Sequence, residues 1–297
     1  MKKDNYIHPV LFVLIIYLIC FSFRTLEYLL FRTDQSMFGE AFIHKLLGIL
    51  VLGIALQYVS FKWSEIGFTK HAVVKNILYG LLLGATVYLI AYGTEFFMQI
   101  WRNGSPSLKI YATSYAIDGN QGMQTGILFF LFCIVGNIIN VVMEEGVFRG
   151  LFVRLLETKK SFIKAMVVSS VLFGFWHIAA PVRSLLDGEI SPMGTLLTAI
   201  ILVLTTGITG AKFCLLTKIT GSLWMSMADH FFNNTIINLL HITTISGADQ
   251  LQVIRISVAQ TLSFLIVLFI YFKSGAGKKK RHFVINSKYV SSVAGRI

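Results

Sequence analysis

The residues best equipped for chemistry are Glu144-Glu145-Gly146-Val147-Phe148-Arg149, and they sit inside an apolar stretch. On insertion scales a charged side chain at a bilayer centre costs about 2.5–3.5 kcal/mol, so such groups persist where they face a protein interior or a wet cavity and have partners. Glu145 and Arg149 are four apart, share a helix face and can pair. Glu144 points about 100° away from Glu145 on an ideal helix. Two adjacent carboxylates in a poorly solvated place cannot both ionise cheaply, so their tasks divide. Glu145 is expected to be scaffold, tied to Arg149, and Glu144 a general base. A purely structural ion pair at a helix contact is the alternative for Glu145 and Arg149.

Two histidines in later apolar segments extend the set. His177 ends Phe173-Gly174-Phe175-Trp176-His177, with Phe173 one turn back on the same face. Asp229-His230-Phe231-Phe232-Asn233-Asn234 places His230 and Asn234 four apart, with Asn233 turned aside. A histidine and an amide on one face can jointly donate to a developing oxyanion. Glu144, His177 and His230 could instead ligate a zinc ion that lowers the pKa of bound water. No His-Glu-x-x-His stretch is present, and the residues alone favour neither version. Glu95 is a further acid within an apolar run and a candidate partner for a polar cavity. His8, His44, His71, His241 and His282 fall near segment ends or in tails and receive no role.

The elements that must position these groups are helices in a membrane. The chain has 297 residues, 55% hydrophobic and 13% charged, with mean hydropathy +0.72; soluble domains carry about 25% charged residues. Apolar runs near 20 residues recur along the whole length and are too long for alternating barrel strands. Eight spans are expected, at about 9–30, 40–60, 76–101, 125–156, 161–181, 194–216, 220–241 and 251–272. The first follows Lys2 and Lys3 and has no small-residue cleavage site after it, so it reads as an uncleaved span. Segment 102–124 reads as a polar loop with an interfacial piece. Cys20, Cys133 and Cys214 lie in apolar runs without metal spacing and read as small core residues with no disulfide framework.

The fourth and fifth spans form a hairpin with its tip near Lys159-Lys160. Glu144 lies about 16 residues before the tip and His177 about 17 after it, so the two are level, roughly 24 Å from the tip. With the N-terminus in the cytoplasm, 18 lysines and arginines fall in inner segments and 7 in outer ones (Arg24, Arg32, Lys45, Arg102, Lys109, Arg183, Arg255). That asymmetry predicts both termini inside. The net charge of +12 reads as lysines at the cytoplasmic ends of spans, not as a nucleic-acid footprint, because no recognition motif accompanies it. The tail from Lys273, with Lys278-Lys279-Lys280-Arg281, reads equally as an anionic-lipid contact or as a stop-transfer flank.

Glu-Glu-x-x-x-Arg at 144–149, Phe-x-x-x-His at 173–177 and His-x-x-x-Asn at 230–234 together resemble the three motifs of the CPBP intramembrane protease family. That family comprises type II CAAX prenyl endopeptidases and the bacteriocin-processing or bacteriocin-immunity proteins called Abi. The resemblance implies an all-α, polytopic membrane fold of eight transmembrane helices around an intramembrane catalytic cavity. It implies that Glu144 and His177 activate water, that His230 and Asn234 stabilise the oxyanion, and that Glu145 and Arg149 support them. The family was first labelled as metalloproteases, and a glutamate-dependent mechanism without catalytic metal is also argued for it. The metal-free version is favoured here, with Zn2+ the alternative cofactor.

The organisation expected is 1–124 as three N-terminal helices and a polar loop, 125–241 as the protease-like core, and 242–297 as a last helix and basic tail. Expected partners are the lipid bilayer and a membrane-associated peptide or protein substrate, such as a pheromone or bacteriocin precursor, and no nucleic acid. The family's breadth and the short basic termini point to a bacterial plasma membrane. Two other classes compete. A non-catalytic scaffold or immunity protein need not keep Glu144, His177, His230 and Asn234 together. A secondary transporter relaying protons through buried Glu and His is disfavoured by the lack of a visible repeat.

Overall fold

A computed structural model describes residues 8–36, 41–113 and 123–276. Of the described residues 77% are helical, which supports the all-α class. Among the described residues ten α-helices follow in order: α1 (Pro9–Leu26), α2 (Ile43–Tyr58), α3 (Val73–Trp101), α4 (Ile127–Glu144), α5 (Val153–Glu157), α6 (Phe162–Trp176), α7 (Ala179–Leu186), α8 (Pro192–Thr220), α9 (Trp224–Leu239) and α10 (Gln252–Lys273). The basic tail run at 278–281, His282, Lys2 and Lys3 lie outside the described residues.

Among the described residues, six helical stretches are long and apolar enough to cross a bilayer: Pro9–Phe31, Val73–Trp101, Ile127–Glu157, Phe162–Leu186, Pro192–Thr220 and Gln252–Lys273. The chain is an integral membrane protein. Eight spans were expected, and the other two positions hold helices of 16 residues each, α2 and α9. At roughly 1.5 Å per residue these are about 24 Å long, short of a hydrocarbon slab of about 30 Å. The α9 helix is also diluted by Asp229, His230, Asn233 and Asn234.

The apolar residues divide between a core and an outer coat. Leu196, Leu197, Ile200, Ile201, Leu204 and Ile208 of α8 are all exposed, a surface suited to lipid. Inside, α3 packs on α9 and α10, α6 on α8, and α4 on α2 and α9. Close approach depends on glycine at two crossings. A Cβ at Gly80 would stand 2.4 Å from the Met225 carbonyl oxygen, and one at Gly174 would stand 2.5 Å from that of Val203. Small residues at such contacts let membrane helices meet backbone to backbone.

The predicted loop at 102–124 contains a strand instead. Residues Ser107–Ile110 pair antiparallel with Leu240–Thr244, which pairs with Gly247–Ala248. The β-branched run after Leu240 ends the helix two residues before the expected boundary at 241. Behind this sheet, Arg255 pairs with Glu95 at 3.0 Å and with Asp249 at 2.9 Å, and His241 contacts Asp249 at 2.5 Å. Glu95 is therefore the partner of an arginine between α3 and α10, not of the cavity described below. Burial alone would raise the pKa of Asp249, in the loop before α10. The His241 and Arg255 hydrogen bonds outweigh it and hold the carboxyl below its ordinary value.

Cys20, Cys133 and Cys214 are buried free thiols. Four of the seven basic residues counted in outer segments, Arg24, Lys45, Arg183 and Arg255, are buried, as is Lys212 among the inner ones. They are interior groups, not flanking charges.

Candidate active site

The Glu144–Glu145 pair lies where one long helix changes its winding. Ile127–Glu144 is α-helical, Glu145–Phe152 is π-helical, and Val153–Glu157 resumes the α form. Single π turns inside α-helices often mark functional positions. The expected divergence of the two carboxylates does not keep them apart: both meet one imidazole. Glu145 Oε1 is 2.9 Å from His230 Nδ1, and Glu144 Oε2 is 3.6 Å from His230 Nε2. A carboxylate only accepts, so Nδ1–H donates to Glu145. The ring is fixed on its other side by stacking on Phe213, with centroids 4.6 Å apart.

Glu145 also pairs with Arg149, at 3.5 Å, as the four-residue spacing predicts. Both side chains are buried. The guanidinium lies 3.8 Å from the Phe173 ring centroid and 5.2 Å from that of Phe213. None of its nitrogens has a well-directed hydrogen bond, so the ion pair and the aromatic faces hold it.

Glu144 is almost fully enclosed, and three groups from other positions hold it. The Trp176 indole donates to Oε1 at 2.8 Å and the Asn140 amide to Oε2 at 3.3 Å. Arg24 Nη1 stands 3.8 Å from Oε1. Trp176 comes from α6, whose antiparallel hairpin with α5 turns at Thr158–Ser161, with Ser161 as N-cap. His177 is the C-cap of α6. Its Nδ1–H donates to the Phe173 carbonyl at 2.8 Å, which leaves Nε2 of the neutral ring as an acceptor. Asn234, one turn beyond His230 on α9, accepts from Asn233 Nδ2 through its Oδ1 at 2.9 Å, leaving its own amide N–H groups for other partners.

Glu144, His177, His230 and Asn234 line one cavity of ≈ 80 Å³, together with Arg24, Lys45, Asn137 and Asn140. A water needs roughly 10–15 Å³ on this measure, so several fit. The four residues singled out from the sequence are thus brought together. Glu145 and Arg149 support the cavity wall through His230.

Several groups at the site escaped sequence reading. His44, set aside as a span-end residue, is buried: Nδ1 meets Glu27 Oε2 at 2.6 Å and Nε2 meets Arg24 at 3.3 Å. A chain Glu27–His44–Arg24–Glu144 therefore runs from the first two helices into the site. Arg24, within an apolar run, carried the same signal as Glu144 and was read as a flank. Trp176 also carried one, because a buried indole N–H needs an acceptor.

The donor set does not favour the zinc alternative. Both nitrogens of His230 are turned to carboxylates, both oxygens of Glu144 accept from Trp176 and Asn140, and a guanidinium stands beside them. Among the described residues no group of three His, Cys, Asp or Glu side chains is arranged to hold a metal ion.

Residues 126–236 match the family model described as type II CAAX prenyl endopeptidase Rce1-like. Glu144, Glu145, Arg149, His177, His230 and Asn234 all fall within the match. No curated protein and no solved structure matches the chain.

Proposed function

We propose that this chain, whose residues 126–236 match the type II CAAX prenyl endopeptidase Rce1-like model, is an endopeptidase of the CPBP intramembrane protease family that hydrolyses a peptide bond in a membrane-associated peptide or protein. Water sits between Glu144 and the His177 Nε2 acceptor. Glu144 takes its proton as oxygen attacks the peptide carbonyl, His230 in its imidazolium form (Nδ1–H on Glu145, Nε2–H toward the cavity) and Asn234 donate to the oxyanion, and the proton passes to the leaving amine. The observation that carries this reading is the convergence of these four side chains, from three separate helical elements, on one cavity. A scaffold would have no need of that convergence.

The working division is 1–124, 125–241 as catalytic core, and 242–297, with α2 and α9 completing an eight-helix bundle. Both termini are assigned to the cytoplasm of a bacterial plasma membrane. Setting aside the buried arginines and lysines sharpens the charge asymmetry behind that orientation.

The test compares peptides released from membranes carrying the wild-type protein with those from the Glu144→Gln variant. A quenched fluorescent reporter is then built on a released sequence, and a prenylated Cys-a-a-X peptide is the first probe to try. Identical peptide pools from the two membranes would overturn the hydrolase reading. Asn234→Ala is expected to lower reporter turnover by about 10²–10³-fold, as loss of an oxyanion donor does; unchanged turnover removes Asn234 from the site. Purified protein is expected to carry no stoichiometric zinc, and chelation to leave cleavage intact. Loss of cleavage on chelation, restored by zinc, would reverse the metal-free assignment.

A further inference from the structure

A lysine buried in the middle of an apolar helix needs a reason, and Lys212 of α8 is 1% exposed. Its ammonium pairs with Asp229 at 2.6 Å and donates to Gln260 Oε1 of α10 at 3.0 Å. Gln260 Nε2 donates to Asn233 Oδ1 at 2.6 Å, and Asn233 Nδ2 donates to Asn234 Oδ1 at 2.9 Å. Three amides in series connect the lysine to the cavity wall.

An amide can stand either way round, with its oxygen or its nitrogen toward a neighbour. An ammonium cannot, because it only donates. We infer that Lys212, acting through Gln260 and Asn233, sets the direction of this chain and so presents the Asn234 amide N–H groups, not its oxygen, to the cavity. Each link follows from the one before. Gln260 must offer oxygen to Lys212 and therefore nitrogen to Asn233. Asn233 then offers oxygen to Gln260 and nitrogen to Asn234. Asn234, accepting through Oδ1, is left with its donor free. The Tyr88 hydroxyl also bonds Asn233 Oδ1, but a hydroxyl serves in either sense and fixes no direction. Asp229 aims the ammonium. Lys212, Gln260 and Asn233 are thus positioning residues, and the inference rests on Asn234 acting as an oxyanion donor.

Two near-isosteric variants reverse the chain. Glu at 260 only accepts, so Asn233 must turn its nitrogen toward it, Asn234 must turn in response, and an oxygen faces the cavity. Asp at 233 forces the same turn of Asn234 directly. Each of Gln260→Glu and Asn233→Asp is expected to lower reporter kcat by about 10²–10³-fold with KM changed by no more than about threefold. In an Asn234→Ala background neither is expected to lower it further. Turnover is expressed per folded protein, measured by size exclusion in detergent, and Asn233→Asp carries the test if Gln260→Glu does not assemble. Near-wild-type kcat in both variants overturns the inference, as does an equal loss with Asn234 already removed. If Asn234→Ala alone leaves kcat unchanged, the underlying assignment of Asn234 has failed instead.

Discussion

Replacing Glu144 with glutamine is expected to lower cleavage by about 10⁴-fold, the upper end of what loss of a general base costs, and to leave the bundle assembled. The two halves of this expectation have separate physical sources. Glutamine has the same shape, and its carbonyl oxygen still accepts from the Trp176 indole, now 2.8 Å from Oε1. Asn140 can turn its amide to meet the new N–H₂. Assembly therefore survives, and the variant should elute and melt with the wild type. An amide cannot take a proton from water at neutral pH, and His177 Nε2 alone lacks a negative partner to stabilise the charge it would acquire. Measured on the reporter peptide, turnover within tenfold of wild type would exclude Glu144 as the base.

The second large effect is on stability. Arg149→Leu is expected to destabilise the folded protein by about 3–5 kcal/mol, the range for breaking a buried ion pair from one side. Glu145 would be left without its 3.5 Å cation, in a place closed to water, with only His230 to meet it. The Phe173 and Phe213 faces, now against a guanidinium, would pack on a branched alkyl group that does not fill the same plane. Thermal unfolding in detergent measures the loss. Glu145→Gln with Arg149→Leu removes both charges and should recover part of it; no recovery would mean that the pair is not what holds the segment.

The helical class, the hairpin at Lys159-Lys160 and the four cavity residues were legible because each leaves a local trace. Apolar runs of the right length give spans, and a polar residue inside such a run must have a partner. Equal distances from a turn give equal depths, and Trp176 beside His177 does meet Glu144. The partners supplied by other helices were not legible. His44 and Lys45 lie close to a span end, where charge ordinarily meets water, and only packing shows them turned inward. The π winding at Glu145–Phe152 leaves no mark in a pattern of period 3.6, because nearly every residue there is buried. The meeting of Glu144 and Glu145 on His230 follows from that winding and from α9, neither of which spacing could supply. The short strands at Ser107–Ile110 and Leu240–Thr244 are stabilised by each other across more than a hundred residues, so neither reads strongly alone.

The shortness of α2 bears on how the proposed hydrolase, sunk in hydrocarbon, would be kept wet. Lys45 in its first turn belongs to the cavity lining, and so do Ala41 and Asp34 before it. Asp34 is clasped by both short contacts from Arg183, and Arg32 and Asp187 join at 2.6 Å nearby. On the proposed eight-helix reading, a 16-residue helix shorter than the hydrocarbon slab, rimmed at this end by fixed charges, would let lipid headgroups and their hydration sag toward the cavity. Water would then reach Glu144 by a short descent from the surface, and a substrate peptide tethered to the same leaflet would follow it without any helix having to part.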